Sequence, residues 1–188
     1  MYLYPQYSFL NDDILKILKT LDLSNLGMIV VAGGETLMGE NYLQVVDSIA
    51  NLVPNAKEKL TFSFQTNGTQ PIEEKYYSII EKFQLVKLHF SIDGIDKRFE
   101  YLRWPANWNQ VVENMLSLRE KLPVNVMFLV EETISIFNLH YQTELAEWVT
   151  SNYANNRLGD ITNHQQHLAF GIYGLEDRKS TRLNSSHT

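Results

Sequence analysis

The chain has 188 residues and not one cysteine. That absence excludes disulfides, thiolate zinc sites, cysteine nucleophiles and any iron–sulfur cluster held by this segment alone. It also lacks an apolar run approaching the ~18 residues of a membrane helix, and Met1 to Leu10 has no basic stretch of the kind that opens a secretory signal. A cytoplasmic chain with no membrane partner is expected. Basic residues are outnumbered, 16 Lys+Arg against 22 Asp+Glu for a net charge of −6, and no basic stripe offsets them. Nucleic-acid binding is therefore unsupported. What remains is ordinary: 44% hydrophobic and 20% charged residues suit a globular chain. At roughly 150 residues per domain, one domain and a short appendage fit.

Apolar β-type runs alternate with amphipathic helical stretches, which predicts an α/β fold with a parallel sheet. A helix follows the Asn11-Asp12-Asp13 cap, and the first strand is Met28 to Ala32. The next helix runs from about Asn41 until Pro54 closes it, and leads to a strand over Leu60 to Gln65. Pro71 is expected in the first turn of a helix that carries Tyr76, Ile80 and Phe83, before a strand over Leu85 to Ile92. Asn107 caps a helix bearing Val111, Met115 and Leu118, and Pro123 precedes a strand over Val124 to Val130. A last helix, about Leu139 to Tyr153, leads into a strand near Leu168 to Ile172.

The strand centres lie about 25 to 40 residues apart, comparable with the roughly 31 residues per unit of an eight-fold (β/α) barrel, although an open doubly wound sheet has similar spacing. Within the third strand Val86, Leu88, Phe90 and Ile92 share one face while Lys87, His89, Ser91 and Asp93 share the other. A parallel strand buried on both sides is normally apolar throughout. The polar face therefore reads as a wet lumen or as an uncovered sheet face. His89 and Lys87 on it are candidates for lumen contacts or for structural hydrogen bonds. His140, His164 and His167 read as polar surface or loop residues, and Trp104 and Trp108 as packing anchors.

Three strands end in small or polar turns at the carboxyl edge, where α/β folds bind ligands. Gly33-Gly34-Glu35 allows close backbone approach and adds an acceptor. Thr66-Asn67-Gly68-Thr69 is a glycine turn, and Ser91-Ile92-Asp93-Gly94 sets a hydroxyl and a carboxylate two residues apart, a pair suited to ribose.

Together these pieces, with Glu100-Tyr101-Leu102-Arg103, Trp108, Val112-Glu113-Asn114 and Thr133 to Asn138, resemble the radical S-adenosylmethionine (radical SAM) enzymes over about Gly27 to Val149, in particular the branch with a SPASM or twitch domain. The resemblance implies a partial (β/α)6 barrel binding S-adenosylmethionine and a 4Fe-4S cluster. An external electron donor would reduce the cluster, and a 5′-deoxyadenosyl radical would take hydrogen from a substrate, with a peptide or protein as the family-level expectation. Carried over by position, Gly33, Gly34 and Glu35 would meet the methionyl amine, Asn67, Ser91 and Asp93 would lie near the adenosyl part, Arg103 would pair with the methionyl carboxylate, and Asn138 would line the same cleft. These residues are expected to converge at the carboxyl edge, with His89 below them.

Two departures stand out. Thr36 occupies a position where the family usually has proline. The Cys-x3-Cys-x2-Cys ligands are missing, so the first barrel strand and its cluster loop are expected upstream of Met1. Asp177 through His187 resembles a translated sequencing adapter, which divides the chain into a partial radical SAM core over 1–176 and a non-native tail over 177–188. A cysteine-free, catalytically degenerate nucleotide-binding module and an unrelated (β/α)-barrel enzyme are the alternatives.

Overall fold

The computed structural model describes residues 11–31, 35, 41–153 and 164–167. Five parallel strands, β1 (Met28–Val31), β2 (Thr61–Thr66), β3 (Leu85–Ser91), β4 (Val126–Thr133) and β5 (His164–His167), lie in the sheet in their order along the chain. A doubly wound sheet reverses its strand order part-way, whereas sequential order with right-handed crossovers puts every connecting helix on one face. The fold is thus α/β with a singly wound parallel sheet, the arrangement of a partial (β/α) barrel.

The helices are α1 (Asn11–Leu18), α2 (Asn41–Leu52), α3 (Ala56–Lys59), α4 (Lys75–Ile80), α5 (Asp96–Leu102), α6 (Trp108–Lys121) and α7 (Gln142–Tyr153), the last preceded by a 3-10 turn over Leu139–Tyr141. Their apolar stripes cover one sheet face. Val111, Met115 and Leu118 of α6 and Leu145 and Val149 of α7 recur at helical spacing and are buried against Phe62, Phe64, Val86, Leu88, Phe90, Phe128 and Val130. Phe62 and Phe64, two apart on β2, stack with ring centroids 4.9 Å apart, and Phe90 stacks on Phe128 at 6.0 Å. Asn107 caps α6 as the sequence predicts, its side chain accepting the Gln110 N–H at 3.1 Å.

The opposite face, the concave inner side of the partial barrel, carries the polar residues of β2 and β3 together with Val30, Met127 and the buried Leu129. Register sets Val30, Ser63 and Lys87 side by side on it, then Gln65, His89 and Leu129, then Ser91 and Glu131. Val30 is 62% exposed there. The period-2 alternation read from β3 is therefore real on both sides of the sheet.

Several boundaries differ from the sequence reading. Pro71 lies before α4, which begins at Lys75, because Ile72 is buried in the intervening loop and delays the helix. β4 begins at Val126, since the Val126 N–H closes a turn onto the Pro123 carbonyl at 3.1 Å and leaves Val124 outside the ladder. The last described strand is the polar His164–His167, paired with β4 from Val130↔His164 to Thr133↔His167. Its pairing rests on backbone groups, which a side-chain pattern does not report. The expected strand over 168–172 and the tail over 177–188 lie outside the described residues.

Candidate functional site

The carboxyl edge of the sheet carries two polar networks. In the first, Glu35 reaches from beyond β1 to the end of β2. Its Oε1 accepts the Thr66 hydroxyl at 2.7 Å and its Oε2 accepts the Asn67 N–H at 2.7 Å. The buried Thr66 Oγ1 also accepts the Gly68 N–H at 3.0 Å, and Asn67 Oδ1 accepts both the N–H and the hydroxyl of Thr69. Gly68 has φ +74°, and a Cβ there would lie 2.9 Å from Val111 Cγ1. Only glycine suits this position. The turn is held from behind by Asn114, whose side-chain amide donates to the Gly68 carbonyl at 2.8 Å.

The second network gathers around Asp93. Its Oδ2 lies 2.6 Å from Arg103 Nε, and its Oδ1 accepts the Thr133 N–H at 2.8 Å, tying the end of β3 to the end of β4. Asn138 Nδ2 faces the Asp93 carbonyl at 3.0 Å, Thr133 O at 2.9 Å and Glu132 Oε1 at 3.1 Å, while its Oδ1 accepts the Ser135 N–H at 2.6 Å. Asn138 is 1% exposed, so it tightens the wall behind Asp93 with both ends of its amide on protein groups. Arg103 ends α5, and Glu100 one turn earlier accepts the Trp108 N–H at 3.2 Å and pairs with Lys97 at 2.6 Å. The Lys97 bond first, then the Trp108 N–H, hold the Glu100 carboxyl below its usual range. The Glu-Tyr-Leu-Arg run thus fastens α5 to α6 at one end and reaches Asp93 at the other.

Each sequence-derived residue that is described falls at this edge: Glu35 after β1, Asn67 after β2, Ser91 and Asp93 at the end of β3, Arg103 after α5 and Asn138 after β4. Glu35 and Asn67 meet directly, as do Asp93, Arg103 and Asn138. Ser91 is half-buried, and its hydroxyl has no hydrogen-bond partner among the described residues. Gly33 and Gly34 lie outside the described residues.

Below the edge, His89 sits on the concave face with Nε2 3.0 Å from Ser63 Oγ and Nδ1 2.6 Å from Glu131 Oε1, and Gln65 donates to the other oxygen of Glu131. Sequence reading missed Glu131 and the anchoring roles of Thr66 and Glu132, since nothing in one sequence gives the register that joins them. Trp104 is corrected: it is 82% exposed and anchors nothing, whereas Trp108 is buried between Phe99 and Trp148. No group of three His, Cys, Asp or Glu side chains among the described residues is arranged to hold a metal.

Comparison with known proteins decides the family. A family model described as Radical SAM superfamily matches residues 2–140, most of the chain. The chain belongs to the radical SAM superfamily. A search of curated proteins finds no match. Radical SAM chemistry in general, reductive cleavage of S-adenosylmethionine to an organic radical, is what this membership implies. The residues present do not fit the iron–sulfur cluster, because 188 residues supply no thiolate. They do fit S-adenosylmethionine in donor chemistry. Carboxylates at Glu35 and Asp93 suit an ammonium and ribose hydroxyls, and Arg103, ion-paired to Asp93 through Nε, brings a guanidinium of five N–H donors to the same edge. No helix among the described residues is long and apolar enough to cross a membrane.

Proposed function

We propose that this chain is the S-adenosylmethionine-holding part of a radical SAM core whose cluster cysteines are supplied by protein sequence upstream of Met1. The observation that carries this reading is the joining of the strand-end turns into two polar networks at one edge of a singly wound sheet, in a chain of that superfamily. Arg103 binds the methionyl carboxylate, Glu35 the amine, Asn67, Ser91 and Asp93 the adenosyl part, and Gly33 and Gly34 give the ligand backbone access. Asn138 holds Asp93 in place. The cofactor supplies the radical when bound, and the chain binds, orients and shields it. A SPASM or twitch extension, a peptide or protein substrate and a cytoplasmic location go with this reading. So do an external electron donor and a non-native tail over 177–188.

The test is S-adenosylmethionine binding and 5′-deoxyadenosine formation by a chain extended upstream through the reading frame. Arg103→Ala in that protein weakens binding by about 1.5–3 kcal/mol, the worth of a hydrogen bond to a charged group, and Ser91→Ala by only about 0.5–1.5 kcal/mol. Unchanged binding by the Arg103 variant overturns the assignment. The absence of cysteine favours a second reading, a nucleotide-binding module without redox chemistry. An in-frame stop directly upstream, with S-adenosylmethionine binding retained, selects it.

A further inference from the structure

The concave face holds a chain of polar side chains that neither strand-end network includes. It runs Ser63 Oγ to His89 Nε2 at 3.0 Å, His89 Nδ1 to Glu131 Oε1 at 2.6 Å, and from the other Glu131 oxygen to the Gln65 amide. All four belong to adjacent central strands, β2, β3 and β4, where the ladder fixes the backbone. The contact is a charge contact rather than an aligned hydrogen bond, and a bare Nδ1 lone pair would be repelled by a carboxylate oxygen at 2.6 Å, so the ring proton is placed on Nδ1. Nε2 of the neutral ring is then the acceptor, and the Ser63 hydroxyl donates to it. Gln65 fixes the remaining Glu131 oxygen, which sets the carboxylate plane and with it the imidazole.

Ser63 and His89 are both mostly buried, yet Ser63 pairs in register with Val30, which is 62% exposed on the same face. The serine end of the chain therefore abuts open concave surface, and the Glu131 end is closed by Gln65. We infer that Ser63, His89 and Glu131 form a proton relay toward a hydroxyl-bearing molecule bound on the concave face. His89 is the acceptor, and Glu131 is its positioning residue. As the O–H proton of the bound molecule passes to Ser63 Oγ, the Ser63 proton passes to His89 Nε2. Two O–H bonds break, one O–H and one N–H form, and the electron pair stays on the oxygen of the bound molecule. The imidazolium that results faces the Glu131 carboxylate, and the reverse transfer restores both partners. The inference rests on reading the concave face as the substrate side of the site proposed above.

The same three residue types in the same order describe a nucleophilic serine, and the surroundings exclude that use. Ser63 lies mid-strand in β2, whose two neighbours β1 and β3 occupy its backbone hydrogen-bonding edges. No N–H is left there to stabilise an oxyanion.

Among the described residues, Glu131 on β4 lies against His89, and Lys87 shares its face of β3. Ser63 and Gln65 on β2 are neutral, and β5 places Gln165 and His167 at the register positions beyond Glu131 and Thr133. The test uses the 188-residue chain, 15N-labelled, with the His89 ring nitrogens assigned by their loss in His89→Gln. In the unsubstituted chain the ring shows the Nδ1–H tautomer and titrates reversibly while the fold, followed by circular dichroism, stays intact. Glu131→Gln lowers the midpoint by at least one pH unit, a tenfold loss of proton affinity. Ser63→Ala keeps the tautomer. A ring held as Nε2–H, or one that takes no proton before unfolding, overturns the relay, as does an unchanged midpoint in Glu131→Gln. If Glu131→Gln does not fold, the tautomer and reversible titration of the unsubstituted chain still decide. Labelling of Ser63 by a fluorophosphonate also overturns it, in favour of a nucleophile. None of these measurements involves S-adenosylmethionine, so failed cofactor binding with an intact relay sinks only the functional proposal, and the converse result sinks only the relay.

Discussion

The two faces of this sheet are made by the same strands and obey opposite rules. On β3, Val86, Leu88 and Phe90 are completely buried under the helices, while Lys87, His89 and Ser91 one residue away lie in register with Ser63, Gln65 and Glu131 on the concave side. A parallel strand enclosed on both sides needs no polar phase. The contrast teaches that the helix-facing side carries the apolar core and leaves the concave side free to hold polar residues. The strand-end turns sit where the two sides meet. Gly68 packs on Val111 and Phe90, whereas Glu35 bonds the neighbouring Asn67 N–H.

The strongest way to break the contrast is to damage the packed side. Phe90→Ala removes a ring with no exposed surface that stacks on Phe128, and a loss of about 3–5 kcal/mol is expected in denaturant unfolding. Phe90→Leu, which nearly keeps the volume, costs under about 1.5 kcal/mol. Equal and small losses in both variants would show that the helices do not seal this face.

The seam comes next. Gly68→Ala forces a left-handed residue to carry a Cβ 2.9 Å from Val111 Cγ1, with an expected cost of about 1–2 kcal/mol from backbone conformation alone. Val111 is stiff on its helix, so the clash adds to this. The double variant Gly68→Ala/Val111→Ala recovers only the clash, measured as a non-additive double-mutant cycle. Full recovery would mean that the turn does not depend on a positive φ.

These two sites also show what the sequence disclosed. The alternation in β3, the apolar stripe of α6 and its Asn107 cap are local patterns, and each appears in the fold where it is read. α5 escaped because Asp96–Leu102 buries a single residue, Phe99, which makes no period. β5 escaped because His-Gln-Gln-His has no β-type side chains and is held by backbone pairing. At the site, the strand-end residues were legible as turns. Their partners were not, since Glu35 and Thr66 are 31 positions apart and Gln65 and Glu131 66 apart, and only the sheet register brings them together. Trp104 shows the limit of composition: a large aromatic beside a candidate site arginine looks like an anchor, and it stands in solvent.

A smaller effect is expected where Glu100 fastens Arg103's helix to α6. Its carboxyl is held low by Lys97 and the Trp108 N–H, so the charged form is favoured in the folded chain. The sign follows: the contribution is present above the unfolded value of about 4.3 and is lost as pH falls through the lower folded value. Thermal unfolding followed down through that acid range should show part of its slope disappear in Glu100→Gln. An identical slope in both proteins would remove Glu100 from the joint.

The smallest effect sharpens the contrast most, because it is an expected silence. Val30 and Phe62 are one strand apart but point to opposite faces, since Val30 pairs with Ser63 and Ile29 with Phe62. Val30 is 62% exposed and Phe62 1%. Val30→Thr swaps a methyl for a hydroxyl of similar size and keeps the β-branch, so strand propensity is nearly unchanged. On an open concave face the hydroxyl stays hydrated, and the unfolding free energy should shift by no more than about 0.5 kcal/mol, the usual range for surface substitutions. Under a cover it would be buried without a partner and cost about 1–3 kcal/mol. A loss of that size would mean that something packs on the concave side of this chain, and Ser63 would no longer border open surface.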